Sequence, residues 1–275
     1  MKRAFFIIAV AISLQLINCT AGEKFADLIV NSAGSDKSGS PPAGNGAYPT
    51  IISPLPGAQL EMLKAEFKEI NPEFRGTLNK YGFIDDDIKP TMSMEHPDTI
   101  LTDENLMNRR AKAMLLKNSK FTGVTDTTAM PINNSHSHGR GKLWRVWFQN
   151  QVYNGLGVKN TEIFVLLDAN GVYRLSGNWY SYIFIPDEQI SEEDAKNSII
   201  GMEIKYTCWS IPGVHIVSEQ DMKNPAGKVV LPQISGENIE LKVAWQISIG
   251  SPAEWYVYVD IVTGEVLKIE QLWID

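Results

Sequence analysis

The chain has 275 residues, of which 44% are hydrophobic, enough to build a core for one large domain or two small ones. Its 25 basic residues are outnumbered by 32 acidic residues, which gives a formal charge of -7. No basic run is long enough to follow a phosphate backbone, so the composition argues against a nucleic-acid partner.

Residues 1–18 have the pattern of a secretory signal peptide. Two cations precede an apolar stretch over residues 4–14, with Ser13 as its one polar residue, which is short for a membrane span. The following LINC, residues 16–19, resembles a bacterial lipobox, although Asn18 stands where Gly or Ala is usual. We therefore expect a lipoprotein of the bacterial cell envelope, attached to the membrane through a lipid on Cys19. The alternative is ordinary cleavage nearby, which would leave a periplasmic or secreted protein.

Residues 19–57 are predicted to be a flexible tether. Gly, Ser, Pro, Ala and Asn dominate this range, most plainly in NSAGSDKSGSPPAGNGAYP. A chain of this composition has a root-mean-square reach of roughly 35 Å, so the folded part is expected to stand clear of a membrane surface.

Residues 58–99 are predicted to hold a helix followed by a turn-rich segment. Apolar residues recur at helical spacing in AQLEMLKAEFKEI, and Asn71-Pro72 ends the run. Three adjacent carboxylates at residues 85–87 are interpreted as a solvated acidic turn, because an EF-hand loop needs alternating ligands, a Gly and a distal Glu.

The rest of the chain runs twice through the same order of elements. A helix over residues 102–117, with Thr102 as its N-cap, is followed by apolar strands, and a second helix begins at Ser191 before further strands. The predicted fold class is therefore α+β: two tandem small modules, residues 100–188 and 189–275, each a helix packed on a twisted antiparallel sheet.

Each half ends in a similar hairpin, EIFVLLDANGVYR and EWYVYVDIVTGEV, in which a Glu is followed six residues later by an Asp. In the second hairpin we predict that the Asp260 carboxylate accepts backbone N-H groups of the loop and that Gly264 adopts positive φ. In the first, the Asn170-Gly171 pair between apolar runs indicates a hairpin turn. The predicted turn residues are Asp168, Asn170, Gly171, Asp260 and Gly264.

Strand alternation places Trp255 and Val257 on one face of the last hairpin and Tyr256 and Tyr258 on the other. We expect one face to pack under the helix and the other to be partly covered by a neighbouring element. The candidate binding surface is Tyr256, Tyr258 and Glu265.

Three segments, SEEDAKNSI, LKVAWQISI and EWYVYVDIVTGEVLKI, together resemble the PepSY module, with its helix opening, aromatic strand and final W-x-V-x-V-D-x-x-T-G-x-V hairpin. The upstream WRVWFQNQVYNGLGVKNTEIFVLLDANGVYRLSGN looks like the companion fungalysin/thermolysin propeptide module. The resemblance covers residues 100–273. It makes residues 100–188 the propeptide-like module and residues 189–275 the PepSY-like module.

In that family the two modules form the propeptide of secreted metalloproteases, where they assist folding and inhibit the enzyme before cleavage. The resemblance implies a secreted or envelope metalloprotease as the partner. The zinc motif of those enzymes is absent, because none of His96, His136, His138 and His215 is followed by Glu-x-x-His. We expect a propeptide-like protein without a protease domain.

No residue is nominated as catalytic, and no metal or cofactor is expected. His136 and His138 are spaced to share one face of a strand, but two imidazoles are not a metal site. Ser135 and Ser137 stand beside them without a G-x-S-x-G elbow, so acyl transfer is not predicted. Cys208 lies among apolar residues and is interpreted as a buried small hydrophobe.

The leading hypothesis is an exported, noncatalytic binding protein that acts in trans as a protease inhibitor or a propeptide-like chaperone. The alternative is a structural or small-ligand-binding surface lipoprotein with no inhibitory role, since fold does not fix function. A pocket lined by Trp144, Trp147 or Tyr180 would favour the alternative.

Overall fold

The computed structural model describes residues 47–72, 74, 76–85, 99–128, 130–208, 211–250 and 254–272. Several predictions fall outside the described residues: the signal peptide, Cys19, most of the tether and two of the three adjacent carboxylates. None of the helices described is both long enough and apolar enough to cross a membrane.

The described residues form an α+β structure, which confirms the predicted fold class. The helices are α1 (Gly57–Ile70), α2 (Glu104–Lys117), α3 (Ser119–Thr122) and α4 (Glu192–Ile199), and a 3-10 turn spans Glu219–Asp221. The strands are β1 (Thr50–Ile52), β2 (Thr77–Leu78), β3 (Ile84–Asp85), β4 (Ile132–His138), β5 (Leu143–Phe148), β6 (Val152–Tyr153), β7 (Leu156–Val158), β8 (Ile163–Asp168), β9 (Gly171–Ser176), β10 (Glu203–Cys208), β11 (Ile211–Ile216), β12 (Met222–Ser235), β13 (Asn238–Ile249), β14 (Glu254–Asp260) and β15 (Val266–Leu272).

The first sheet has four antiparallel strands in the order β4-β5-β8-β9. Helix α2 lies across one face, where its buried residues Met107 and Leu115 pack in one core with Val146 of β5. The N-cap of α2 is Asp103 and not the predicted Thr102, because the Asp103 carboxylate accepts a backbone hydrogen bond from the first turn.

Helix α1 forms as predicted and joins the same core. The Phe67 ring meets the Phe121 ring edge to face, with their centroids 5.0 Å apart. At the end of the helix, the buried Asn71 amide donates to Asn118 Oδ1 at 2.7 Å, and the Asn118 amide donates back at 3.2 Å. This reciprocal pair satisfies polar groups that would otherwise be buried without partners.

The second sheet has seven strands in the order β15-β14-β13-β12-β7-β6, with β1 added beside β13. All its strand pairs are antiparallel except β7 with β12. Helix α4 covers one face, which we call the inner face, and buries Ala195 and Ile199 against a core that includes Val243 and Trp245 of β13. The two-stranded β10-β11 ribbon packs on the same inner face.

The sheets do not follow the predicted boundary between residues 188 and 189. The β6-β7 hairpin precedes that boundary but belongs to the second sheet, because Val158 pairs with Val230 and the Lys159 N-H donates to the Val230 carbonyl at 2.9 Å. Tyr81 and Phe83, from the turn-rich N-terminal segment, also pack into the core of the second sheet.

The prediction of a tether extending to residue 57 was wrong for its last part. Residues 50–52 form strand β1, which pairs antiparallel with residues 239–241 of β13. The side chain of Ile52 is buried in the core of the second sheet. The short apolar run TII outweighs the surrounding Gly, Ser and Pro residues because it meets an open stretch of β13.

Tyr48, just before β1, fastens this segment to the last hairpin. Its hydroxyl donates to Asp260 Oδ2 at 2.8 Å and accepts the Val243 N-H at 3.0 Å. The Val243 carbonyl lies 3.2 Å from the same hydroxyl. The tyrosine hydroxyl therefore occupies the gap in the β13 ladder between β1 and β14.

We predict that Tyr48→Phe lowers the free energy of unfolding by about 1–3 kcal/mol, because it leaves a buried carboxylate oxygen and a strand N-H without their partner. Urea unfolding measures the change. Tyr182→Phe is the matched control, since the Tyr182 hydroxyl makes no hydrogen bond to another described residue, and this variant should stay close to the wild type. Equal stabilities of the two variants would contradict the prediction.

Candidate functional site

The two predicted Asp turns have the same geometry. Asp168 Oδ1 accepts the N-H groups of Asn170 and Gly171 at 2.8 and 3.1 Å. Asp260 Oδ1 accepts those of Val262 and Thr263 at 2.7 and 3.1 Å. In both turns the carboxylate accepts the N-H groups of the second and third residues after it. Such contacts are predicted for Asp260, and Asp168 makes the same ones.

Both turn glycines have positive φ, 143° at Gly171 and 73° at Gly264, as predicted for Gly264. The Gly264 N-H donates to the Asp260 carbonyl at 3.0 Å. A residue with a Cβ would be strained at both positions, so these glycines are explained by the turns and not by a ligand.

The two aspartates differ in burial and in partners. Asp168 is half-buried, whereas Asp260 is only 1% exposed and has the additional hydrogen bond from Tyr48. Burial raises the pKa of Tyr48, and so do the hydrogen bond to Asp260 and the negative charge of that carboxylate. The hydroxyl therefore keeps its proton. The carboxylate of Asp260 therefore has a structural role: it accepts hydrogen bonds from its own turn and from Tyr48.

The structure corrects the predicted binding surface at Tyr258. This side chain is 0% exposed, because Leu231 and Ala244 pack against it on the outer face of the second sheet, the face opposite α4. Its hydroxyl donates to Glu270 at 2.7 Å, and burial raises its pKa. Tyr256 is half-buried and only Glu265 is exposed.

A lysine that sequence reasoning missed covers these tyrosines. The Lys159 ammonium lies 5.2 Å from the centre of the Tyr256 ring and 5.8 Å from that of Tyr258. Burial lowers the pKa of Lys159. Lys159 follows β7, far from the tyrosines in the sequence, and no local pattern in the chain indicates the contact.

The β10-β11 ribbon forms a concave surface with the end of β15. The ribbon is held by Trp255, which meets the Tyr206 ring edge on at 5.6 Å and stacks on the His215 ring at 5.4 Å with an interplanar angle of 9°. The concavity has a volume of about 570 Å³. Its lining residues are Lys205, Tyr206, Pro212, Gly213, Val214 and Gln271.

A Ser, an Asp and a His also meet beside the ribbon, but not as a catalytic triad. Asp221 Oδ2 accepts the Ser218 hydroxyl at 2.7 Å and lies 3.1 Å from His215 Nε2. Both residues contact the same carboxylate oxygen, whereas a triad requires the Ser to contact the His. The hydrogen bond from the Ser218 side chain lowers the pKa of Asp221.

The predicted polar candidates around β4 do not assemble into a metal or acyl-transfer site. Among the residues described, no three His, Cys, Asp or Glu side chains come together to hold a metal ion. Ser135 Oγ donates to Asn108 at 2.7 Å and accepts the indole N-H of Trp144 at 2.8 Å, so it fixes local structure. Cys208 ends β10, and the surroundings of its side chain are outside what the structure describes.

The three aromatic residues proposed for a small-ligand pocket do not face one cavity. Trp144 is buried with the core under α2, while Trp147, three residues later on the same strand, points to the opposite face of the sheet. Tyr180 is buried in the core of the second sheet. The geometry therefore offers no support for a pocket shared by these side chains.

The described residues define an α+β protein with a seven-stranded and a four-stranded β-sheet, two two-stranded ribbons, and a shallow concavity beside the edge strand β15. No family model and no curated protein matches the chain. Among solved structures, it is similar to the C-terminal domain of YpeB from Bacillus megaterium, with 12% identity and a TM-score of 0.31, over 81% of this chain and 100% of that domain.

We predict that Asp260→Ala destabilises the protein far more than Asp168→Ala, although the two turns match. Loss of the buried carboxylate leaves two turn N-H groups unpaired and removes the carboxylate acceptor of the Tyr48 hydroxyl, which should cost about 2–4 kcal/mol, against about 1 kcal/mol for the more exposed turn. Urea unfolding of both variants provides the comparison. Equal losses of unfolding free energy in the two variants would show that burial of Asp260 and its contact with Tyr48 add nothing to stability.

We also predict a pH-dependent role for Asp221. Its pKa is lower in the folded than in the unfolded state, so its stabilising effect is complete above the unfolded value of about 3.9 and is lost as the pH falls through the folded value. Asp221→Asn should therefore be less stable than the wild type at pH 6, and the difference should shrink below about pH 4.

Urea midpoints measured from pH 6 to pH 2.5 test this role of Asp221. The matched control is Asp187→Asn, because the exposed Asp187 carboxylate makes no hydrogen bond to another described residue. The stability difference between this control and the wild type should not shrink as the pH falls. A difference between Asp221→Asn and the wild type that stays constant across the range would contradict the prediction.

Proposed function

We propose that the chain is an exported, lipid-anchored, noncatalytic binding protein that engages a secreted or envelope metalloprotease in trans, as a propeptide does. The resemblance of residues 100–273 to propeptide and PepSY modules suggests the class of partner. The structural observation that supports the proposal is the free edge of β15 together with the concavity beside it.

Strand β15 ends the second sheet and pairs with β14 alone among the described strands. An edge strand presents a row of unpaired backbone N-H and C=O groups, to which an extended segment of another protein can add. Such an addition gives affinity through the main chain, and it needs neighbouring side-chain contacts for specificity.

The concavity supplies such contacts next to this edge. Val214 is 57% exposed and stands across the ribbon from Lys205, while Gln271 brings the end of β15 to the same depression. Exposed apolar side chains beside an ammonium group suit a segment that carries both apolar and acidic residues. A protease segment held there would block access to the cleft of its own enzyme.

The proposed anchor positions this surface near a membrane. Lipidation of Cys19 would fix the chain at the envelope, and the residues between Cys19 and Ala47 would set the distance to the folded part. No catalytic step is assigned to this chain, because the proposed action is occupancy of a partner's cleft.

The test is a titration of secreted metalloproteases from the same organism with the full-length protein in detergent micelles. We expect saturable inhibition, and Val214→Glu should raise the inhibition constant about tenfold or more, which corresponds to ~1.4 kcal/mol. Ile234→Glu is the matched control, because Ile234 has the same 57% exposure but lies at the far end of β12, outside the concavity. This control should inhibit as the wild type does.

Two results would overturn the proposal. If circular dichroism shows that the protein is folded and it still inhibits none of the proteases, the propeptide-like inhibition is excluded. Equal weakening by Val214→Glu and Ile234→Glu would leave inhibition but would exclude the concavity as its site.

A further inference from the structure

The two strands of the β10-β11 ribbon differ in the side chains that they present to solvent. Among the described strands they pair only with each other, so each has one free edge. Strand β10 carries the exposed charged residues Glu203 and Lys205, and charged side chains commonly protect a sheet edge from pairing. Strand β11 carries Val214 and Ile216 across from them, and these are 57% and 61% exposed.

The ribbon runs across the strands of the second sheet. The His215 ring stacks on Trp255 of β14, and Gly213 lines the concavity at the end of β15. Side chains alternate along a strand, so Val214 and Ile216 project from the opposite side of the ribbon, away from the sheet. We call this side the outward face of the ribbon.

The main-chain groups of Val214 and Ile216 point to the free edge of β11. The Val217 N-H donates to the Met202 carbonyl at 3.0 Å, and hydrogen-bonded pairs alternate along an antiparallel ladder. His215 therefore bonds to β10 through its main chain, while the residues on either side of it face away from β10. On that side, neither residue has a main-chain hydrogen bond to another described residue.

We propose that β11 pairs antiparallel with β11 of a second copy of this chain, about a two-fold axis at His215. In this register Val214 of one copy lies beside Ile216 of the other, and each of these residues donates and accepts a main-chain hydrogen bond. The two ribbons become one continuous sheet. The His215 rings remain on the inner side, each stacked on Trp255 of its own chain.

The residues that flank this pairing allow it to end without an unpaired donor. The next pair in the register is Pro212 with Ser218 of the second copy. Pro212 has no N-H group. The Ser218 main chain is already bonded, because its N-H donates to Asp221 Oδ2 at 2.7 Å and its carbonyl accepts the Asp221 N-H at 3.2 Å. A proline is tolerated on a strand at such a position.

The side chains of the outward face are complementary to those of a second copy. Each row across the paired ribbons starts with Glu203 and Ile216 of one copy and continues with Val214 and Lys205 of the other. β-Branched side chains meet at the centre, and such cross-strand pairs stabilise a sheet. Each row has a carboxylate at one end and an ammonium group at the other, so no like charges stand opposite each other.

The pairing goes beyond the proposed function, because it uses the free edge of β11 and no protease. One strand from each copy forms a small contact, and small contacts belong to the weak, reversible class of interface. We expect a dimer with a dissociation constant in the micromolar range.

The test is sedimentation equilibrium of the full-length protein in density-matched detergent, with micelles in excess, so that only the protein contributes to the measured mass. The mass should rise from one chain to two as the protein concentration increases through the micromolar range. Ile216→Lys should raise the dissociation constant about tenfold or more, because it places an ammonium group beside Val214 of the second copy. Within its own ribbon the new side chain faces Glu203, so the fold is retained.

Ile234→Lys is the matched control. Ile234 is 57% exposed and lies near the end of β12, away from the ribbon. This variant should dimerise as the wild type does, and both variants should show the wild-type circular dichroism spectrum.

Amide hydrogen exchange gives a second test on the wild type alone. The N-H groups of Val214 and Ile216 should exchange rapidly in dilute protein and slowly at concentrations where the dimer forms. The N-H of His215 faces β10 and should be protected at every concentration.

Three outcomes would overturn the inference. The first is the mass of one chain throughout the micromolar range, which would leave the β11 edge to a segment of another protein. The second is equal weakening of the dimer by Ile216→Lys and Ile234→Lys. The third is exchange at Val214 and Ile216 that does not depend on concentration. None of these measurements contains a protease, so they remain decisive whether or not the chain inhibits one.

Discussion

A buried carboxylate sets the main constraint on this structure. Asp260 is 1% exposed, and a charge in that position is tolerated only when donors surround it. Two donors come from its own turn, but the third is the hydroxyl of Tyr48. The segment before α1 must therefore lie against the last hairpin, which brings β1 beside β13 and carries its apolar side chains into the core of the second sheet.

Local features of the sequence predict much of this fold. The Asp turns depend on contacts two and three residues apart, and the helices on spacings of three and four, so both are visible in short windows. Alternation also assigns Tyr258 to the correct face of its strand. It does not predict that Tyr258 is buried, because the groups that cover it, Leu231, Ala244 and Lys159, come from other parts of the chain. Strand β1 was missed for a related reason: its three residues form a strand only because β13 has an open stretch beside them.

The outer faces of the two large sheets differ in how their polar side chains are paired. On the second sheet, Lys268 pairs with Glu270, Glu270 accepts the Tyr258 hydroxyl, and Lys159 lies over the rings, so the polar groups are satisfied within the chain. On the first sheet, Arg145 has no such neighbour. Similar hairpins thus support one face whose polar groups pair with one another and one face on which the buried Nε of Arg145 has no hydrogen-bond partner among the described residues. The internal similarity of the halves reflects shared turn chemistry, while their surfaces have different properties.

The long range of the Tyr48 contacts has a consequence for the order of folding. The partners of this side chain, Val243 and Asp260, lie 195 and 212 residues further along the chain. During synthesis, β1 has nothing to pair with until β13 has been made, and Tyr48 has no carboxylate to bind until the final hairpin turns. Contacts over such distances form slowly, and the open stretch of β13 is an exposed strand edge until they do. The hydrogen bond between the Tyr48 hydroxyl and Asp260 is therefore a marker of completed folding, since it can form only after the last hairpin has folded.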